Sequence, residues 1–197
     1  MPERGSADAG GGVSLPFPRA VGEELELRLL EEADAEELFA LVDANRAYLR
    51  EWLPWLDHNT EAGHTLAFIR ATQKQHAERN GFTCGIRQRG RLVGVVGLHA
   101  IDWPNRKTSL GYWVAEPHQG RGIITRACAA LLPYVFDELG LNCVEIGCAV
   151  ANARSNAIPD RLGFTREGVL RQREWLYDHF VDHVVYSLLA AEWRQRG

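Results

Sequence analysis

The chain has 197 residues, of which 46% are hydrophobic and 24% charged, and its formal net charge is −4. This length and composition fit one globular domain with a sizeable core, and the negative charge argues against nucleic acid as the main partner. No apolar stretch approaches the ~20 residues of a membrane span, and the N-terminus lacks the apolar segment of a signal peptide. We therefore expect a cytoplasmic protein that does not bind membranes.

The four cysteines lie in predicted strands and a helix, and they are Cys84, Cys128, Cys143 and Cys148. Neither they nor the histidines show the spacing of a metal site. We expect small buried thiols in a reducing compartment, and no metal.

The first half of the chain predicts a tail, a strand and helices. Residues 1–14 are too polar and too rich in glycine to build a core, so we expect a flexible tail before one domain over residues 15–197. Period-two alternation from residue 23 to residue 30 predicts a strand. Helical spacing predicts three helices, over residues 32–43, 45–52 and 60–80, and Pro54 ends the second.

The second half predicts a sheet. Strands are predicted over residues 82–88 and 92–101, with a hairpin turn at Arg89-Gly90. A strand over 107–115, a helix over 120–139 and a strand over 142–150 form a βαβ unit. A short helix and two strands follow, over 155–162, 165–176 and 180–189. This order predicts a single α/β (α+β) domain with a mixed sheet and helices on its faces.

The glycine-rich turn at residues 119–124, Gln-Gly-Arg-Gly-Ile-Ile, joins a predicted strand to a predicted helix. Unpaired N–H groups and the helix dipole favour an anion there, and Gly120 and Gly122 let the backbone approach it. Arg121 adds a positive charge, so a pyrophosphate group is the expected ligand. The turn matches neither the P-loop nor the dinucleotide fingerprint, and a helix N-cap that binds nothing is the alternative.

Four segments, the first of which overlaps this turn, resemble one family. They are residues 111–123, residues 151–157 with 161–164, residues 167–171 and residues 182–186. With them, the chain resembles the GNAT acetyltransferase superfamily over about residues 23–193, and its RimJ/RimL-type branch in particular. That branch includes enzymes that acetylate the N-terminus of ribosomal proteins. The resemblance implies a mostly antiparallel sheet of about seven strands with helices on both faces.

The resemblance also implies acetyl-CoA as the donor. Its pyrophosphate would bind the backbone of Gln119, Gly120, Arg121, Gly122, Ile123 and Ile124, and its pantetheine arm would pair with Tyr112, Trp113 and Val114. Asn152 would hydrogen-bond the pantetheine, and Asn156 belongs to the same cofactor-binding set. An N–H near Val114 is the expected oxyanion donor. Ile124 replaces the small residue usual at the end of this turn, as it does in the RimL-type branch.

Acetyl transfer to an amine needs a base for the amine proton and a proton donor for the departing thiolate. By resemblance, Glu174 is the base and Ser155 the acid. The alternatives are a solvated strand carboxylate for Glu174, with Asp178 and His179 as substitute bases, and a helix N-cap for Ser155. Pro159 stands about where many GNAT enzymes carry an acid tyrosine, and it predicts that the short helix begins late, near Ser155 or Asn156.

Sequence patterns say less about the site that binds the acceptor amine. Three tryptophans could line the bottom of the acceptor site or could anchor the core and loops: Trp52, Trp55 and Trp103. Three polar residues beside them could bind an amine or could be solvated: Asp57, His58 and Asp102. We expect an N-acetyltransferase acting on a protein or peptide N-terminal amine, such as that of a ribosomal protein. The alternatives are an acetyltransferase for a small amine and a non-catalytic acyl-CoA sensor. RimL-type relatives often form dimers, so a homodimer is a further expectation that no sequence feature proves.

Overall fold

The computed structural model describes residues 17–195, so the predicted tail at residues 1–14 lies outside the described residues. The strands are β1 (Arg19–Val21), β2 (Leu25–Leu29), β3 (Phe82–Gln88), β4 (Arg91–Leu98), β5 (Lys107–Val114), β6 (Cys143–Ala149), β7 (Thr165–Leu176) and β8 (His179–Leu189). The helices are α1 (Ala35–Ala44), α2 (Arg46–Arg50), α3 (Ala62–Ala77), α4 (Ile123–Pro133), α5 (Ala153–Arg161) and α6 (Ala190–Arg194). No helix over residues 17–195 is long and apolar enough to cross a membrane.

All eight strands form one sheet in the order β1-β2-β3-β4-β5-β6-β8-β7. Only β5 and β6 pair in parallel, which confirms the mixed, mostly antiparallel sheet. The eighth strand is β1, which sequence analysis missed because three residues are too short to show alternation.

Helices cover both faces of this sheet, as predicted. On one face, Leu38 of α1, Leu49 of α2 and Ile69 of α3 share a buried cluster with Val95 of β4. On the other face, helices α4 and α5 share a second cluster with Val96 of the same strand. Adjacent residues of a strand point to opposite faces, so Val95 and Val96 belong to different cores.

The sheet opens between β5 and β6. These strands pair only where Lys107–Ser109 of β5 meets Cys143–Glu145 of β6. Beyond Ser109, β5 continues to Val114 but pairs only with β4, while β6 continues to Ala149 and pairs with β8. Backbone groups on the facing edges of β5 and β6 are therefore left for a ligand, and the cleft described below begins here.

Two features near the ends of helices were not predicted. The helix predicted over residues 120–139 is α4 followed by a π-helical turn at Tyr134–Glu138. The C-terminal helix α6 was not predicted, since five residues carry little periodicity. All four cysteines are free thiols, but Cys143 is only half-buried because it lies on the face opposite Cys148 of the same strand.

Candidate active site

A single large cleft follows the opening between β5 and β6, with a volume of about 1930 Å³. Typical ligand pockets hold ~300–1,000 Å³, so this cleft has room for two substrates together. Most residues predicted for the site line it, namely Trp52, Trp55, Tyr112, Trp113, Val114, Gln119, Gly120, Gly122, Ile123, Ile124, Asn152, Ser155 and Glu174. Three predicted residues are not among its lining: Asp102, Arg121 and Asn156.

The glycine-rich turn has the geometry of an anion site. Gly120 and Gly122 have φ of +67° and +68°, a left-handed conformation that glycine adopts readily. The first N–H bonded along α4 is that of Arg126, which donates to Gly122 O at 3.0 Å. The preceding N–H groups, from Ile123 to Thr125, have no backbone acceptor among the described residues. They lie at the positive end of the α4 dipole and suit a pyrophosphate.

The side chains of Gln119 and Arg121, both within this turn, lie in different cavities. Gln119 lines the cleft, where its Oε1 accepts from Arg154 and its buried Nε2 has no partner among the described residues. An unpaired buried amide nitrogen is unusual, which supports a ligand acceptor at this position. Arg121 instead lines a neighbouring cavity of about 530 Å³ with Arg126 and Arg89, so it adds positive charge beside the turn and not inside the cleft.

Helix α5 begins earlier than predicted. Asn152 is its N-cap, and the Asn152 Oδ1 accepts a 3.0 Å hydrogen bond from the Ser155 N–H. The prediction that Pro159 delays the helix to Ser155 is therefore wrong, and so is the alternative that Ser155 is the N-cap. Pro159 is accommodated inside α5, where its missing N–H leaves the Ser155 carbonyl without a helical donor. The Tyr112 hydroxyl donates to that carbonyl at 3.4 Å instead.

The Ser155 side chain belongs to a small polar cluster inside the cleft. Its Oγ lies 3.1 Å from Cys148 Sγ and donates to the Tyr112 hydroxyl at 3.4 Å. Burial raises the pKa of Tyr112 well above its ordinary value, and burial also raises the pKa of Cys148. Both groups therefore stay protonated at neutral pH, and the cluster can donate hydrogen bonds to a sulfur anion placed against it.

The two asparagines near α5 have different settings. Asn152 lines the cleft at the helix cap. Asn156 uses its amide to hold α5 on the sheet: its Nδ2 donates to Ala149 O at 2.9 Å and to Asn152 O at 2.8 Å, and its Oδ1 accepts from the Tyr186 hydroxyl at 3.0 Å. The structure thus gives Asn156 the contacts of a residue that fixes the helix behind the site.

Glu174 reaches the cleft from β7 because that strand bulges. The pairing of β7 with β8 passes from Leu170 opposite His183 to Glu174 opposite Val181, so β7 carries two extra residues there. Gln172 in this bulge has φ of +51°, and its N–H donates to Asp182 Oδ1 at 2.7 Å. The Glu174 side chain is 32% exposed, which is a half-buried carboxylate and not a solvated one.

The substitute bases lie elsewhere. Asp178 and His179 form the tip of the β7–β8 hairpin and pair with each other at 2.6 Å, with both side chains exposed. That pairing lowers the pKa of the Asp178 carboxyl through the hydrogen bond from His179. Neither residue lines the cleft.

One wall of the cleft, called the aromatic wall below, is formed by the segment after α2. Trp52 and Trp55 are half-buried and line the cleft, and Trp55 also packs against the core under α1–α3. Tyr177 fastens this segment to the β7–β8 hairpin, because its hydroxyl donates to Leu53 O and accepts from the Leu56 N–H at 3.2 Å. The wall is thereby tied to the strand that carries Glu174.

Several acceptor candidates prove to have other partners. Asp57 forms a two-pronged pair with Arg50, at 2.8 Å for each contact. Asp102 accepts from the backbone and the side chain of Asn105 in the turn between β4 and β5, away from the cleft. Trp103 lies beside it, where its Nε1 donates to Arg79 O at 3.0 Å. His58 does line the cleft.

Sequence analysis gave no role to Cys148, Tyr177 or His183. Cys148 lies against Ser155 Oγ, Tyr177 holds the aromatic wall, and His183 Nε2 lies 3.3 Å from Glu174 Oε2. The available signal was period-two alternation, which places His183 and Val185 on one face of β8. That signal does not say which neighbour a side chain meets, because the bulge in β7 sets the contact.

Comparison with known proteins agrees with this geometry. A sequence model of the family described as "Acetyltransferase (GNAT) domain" matches residues 24–165. The chain is 41% identical over 180 residues to a protein of Bacillus subtilis (strain 168) named "Putative ribosomal N-acetyltransferase YdaF", with 90% of this chain and 97% of that protein covered. It is 31% identical to the ribosomal-protein-serine acetyltransferase of Escherichia coli (strain K12), with 85% and 93% covered.

A solved structure of RimL, a ribosomal L7/L12 alpha-N-protein acetyltransferase in complex with coenzyme A, has the same fold. It superposes with a TM-score of 0.84 at 29% identity and covers 88% of this chain and 98% of its own. The matched family segment includes β5, the glycine-rich turn and α5, which line the cleft. The chain therefore belongs to the GNAT acetyltransferase family, and it is an N-acetyltransferase that uses acetyl-CoA.

Proposed function

We propose that this enzyme acetylates the N-terminal α-amine of a protein, with a ribosomal protein as the substrate class. The observation that carries the proposal is one cleft that joins the anion-binding turn, Ser155 and Glu174. Relatives named for ribosomal-protein acetylation, with similarity along most of the chain, support the substrate class.

In the proposed reaction, Glu174 accepts a proton from the acceptor amine as the nitrogen attacks the thioester carbonyl carbon. The C–N bond forms, the C–S bond breaks, and the departing thiolate takes the proton of the Ser155 hydroxyl. Solvent returns a proton to Ser155 and takes the one held by Glu174, so both residues end the cycle as they began it. A backbone N–H near Val114 stabilises the oxyanion. Gln119 to Ile124 hold the pyrophosphate, and Tyr112 to Val114 hold the pantetheine arm.

The chemistry of the base favours an α-amine over a lysine or polyamine amine. An α-amine has an ordinary pKa of ~7.7–8.0, so part of it is neutral at pH 7, whereas a lysine amine at ~10.4 is almost fully charged. A single half-buried carboxylate is enough for the first. The width of the cleft and the aromatic wall of Trp52 and Trp55 suit the first residues of a peptide.

Two accompanying proposals concern the setting of the enzyme. A ribosomal-protein substrate would place it in the cytoplasm. A homodimer would cover the exposed aromatic pair of Trp175 and Phe180, whose ring centroids lie 4.8 Å apart on the β7–β8 hairpin. Sedimentation equilibrium would test the dimer, and a monomer at micromolar concentration would refute it.

The first experiment measures thiol release from acetyl-CoA with three acceptor sets: peptides with free N-termini, the same peptides with blocked N-termini, and small amines. We expect turnover with the free N-termini alone, and mass spectrometry should place the acetyl group on the α-nitrogen. Turnover with small amines alone would refute the proposed substrate class and assign the enzyme to metabolite or antibiotic acetylation.

Two substitutions test the assigned roles. Glu174→Gln should lower kcat by ~10²–10⁴-fold, because it removes a general base, and Ser155→Ala should lower kcat by ~10²-fold. The affinity for acetyl-CoA should stay the same in both. Glu26→Gln is the control for the first, because Glu26 is an exposed strand glutamate outside the cleft lining. Full activity of Glu174→Gln would remove Glu174 from the reaction.

A further inference from the structure

His183 lies on the face of β8 that borders the cleft, opposite Ala149 of β6 and Leu170 of β7. Its side chain is 17% exposed, and its Nε2 is buried. This nitrogen has no hydrogen-bond partner within residues 17–195, although Glu174 Oε2 lies only 3.3 Å away. The 3.3 Å separation is within hydrogen-bonding distance, so the two atoms need better alignment and not a closer approach to form the bond.

The bulge in β7 creates this contact. With regular pairing after Leu170, Glu174 would lie opposite His179, at the hairpin tip. The two extra residues bring it opposite Val181 instead, so Glu174 and His183 become diagonal neighbours on one face. The bulge is itself fastened by the bond from the Gln172 N–H to Asp182, the residue next to His183. The fold therefore fixes the two side chains relative to each other.

We propose that His183 is a positioning residue for Glu174. With its proton on Nε2, the His183 ring donates a hydrogen bond to Glu174 Oε2 and turns the carboxylate toward the acceptor amine. In this way a residue that does not touch the reacting atoms orients one that does. The hydrogen bond is favoured because the buried His183 Nε2–H would otherwise have no acceptor. The inference rests on the proposed role of Glu174 as the base, and it adds a residue that acts through that base.

Kinetics of two His183 variants test the role. His183→Leu removes the hydrogen-bond donor to Glu174 and should lower kcat by ~10–100-fold, the usual loss when a residue that orients a functional side chain is removed. The KM for the acceptor and the Kd for acetyl-CoA should stay unchanged. His183→Gln keeps an N–H near the Nε2 position and should restore most of kcat. Equal kcat losses in both variants, or a loss that appears in KM alone, would overturn the proposal. His76→Leu is the control, because His76 is a half-buried histidine of α3 outside the cleft lining.

A double mutant separates action through Glu174 from an independent effect. In the Glu174→Gln background, His183→Leu should cause little further loss of kcat, because the carboxylate that it positions is already gone. A further loss equal to that in the wild type would show that His183 acts by itself and would overturn the proposal. Thermal unfolding of each variant identifies any that fails to fold, and His183→Gln then carries the test.

A spectroscopic readout does not need turnover. ¹⁵N NMR of the imidazole should show the proton of His183 on Nε2 in the wild type and a mixture of tautomers in Glu174→Ala. A proton on Nδ1 in the wild type, or an unchanged spectrum in Glu174→Ala, would overturn the inference even if the enzyme is active. If the wild type acetylates no peptide, the proposed function fails while this measurement still decides the contact.

Discussion

At the scale of single residues, Gly122 shows how one backbone conformation shapes the proposed acetyl-CoA site. It precedes α4 with φ of +68°, and a β-carbon built there would meet no atom within 4 Å. Its need for glycine is therefore conformational and not steric. The first residues of α4, Ile123 to Thr125, follow this left-handed turn and line the cleft.

Gly122→Ala should consequently lower the free energy of unfolding by ~1–2 kcal/mol, the cost of a left-handed L-residue, and should weaken acetyl-CoA binding. Urea denaturation and calorimetric titration measure the two effects. Gly168→Ala is the matched control for the free energy of unfolding only, because Gly168 also has open space around its Cα but no positive φ, and it lines the same cleft. Gly122→Asn should recover part of the loss, since asparagine tolerates this conformation. Equal stability of the Gly122 and Gly168 alanine variants would refute the argument.

At the scale of elements, α5 positions the proposed acid through its cap. Asn152 accepts from the N–H of Ser155, and Asn156 and Tyr186 hold the same helix to the sheet. A helix of nine residues with an internal proline has little stability of its own, so these contacts determine where Ser155 lies.

Asn152→Ala should lower the free energy of unfolding by ~0.5–2 kcal/mol through loss of the cap, and it should reduce kcat because the Ser155 hydroxyl is less well placed. Asn152→Ser retains a capping oxygen and should keep most of the stability. Chemical denaturation and steady-state kinetics measure both. The cap assignment fails if the serine and alanine variants are equally unstable.

At the scale of the whole molecule, a buried ionic cluster ties the helical layer to the sheet. Asp34, just before α1, accepts from Arg28 of β2 at 2.7 Å, from Arg87 of β3 at 2.6 Å and from the Glu31 N–H at 2.9 Å. The Asp34 side chain is 6% exposed and that of Arg87 11%. Arg87 also pairs with Glu37 at 3.1 Å, so loss of Asp34 leaves the buried Arg87 charge only partly compensated.

Asp34→Ala should lower the free energy of unfolding by ~3–5 kcal/mol, as breaking a buried pair does. Asp43→Ala is the matched control on the same helical layer, because Asp43 is 59% exposed and pairs with Arg46 at 3.0 Å. That surface pair should contribute at most ~1 kcal/mol. Urea unfolding measures both values, and similar losses in the two variants would contradict the role given to the Asp34 cluster.

The sequence by itself determined the features that depend on neighbours along the chain. Local residue patterns and turn signals marked seven of the eight strands, because both depend on neighbours along the chain. The glycine-rich turn marked the anion site, because N–H groups at a helix start are unpaired in any context. The family segments indicated acetyl-CoA chemistry. The positions of Glu174 and Ser155 followed from that resemblance, since neither residue type identifies a role alone.

Only the tertiary structure decided the relations between distant segments. The opening between β5 and β6 depends on where strand pairing stops, and the position of the aromatic wall depends on the hydrogen bond from Tyr177 to Leu53. The start of α5 depended on which side chain caps it, and Asn152 displaced the predicted start at Ser155. The contact of His183 with Glu174 depends on a two-residue bulge that alternation cannot reveal. These contacts join residues far apart in the chain or out of regular register, and their energies depend on geometry that exists only once the sheet has formed.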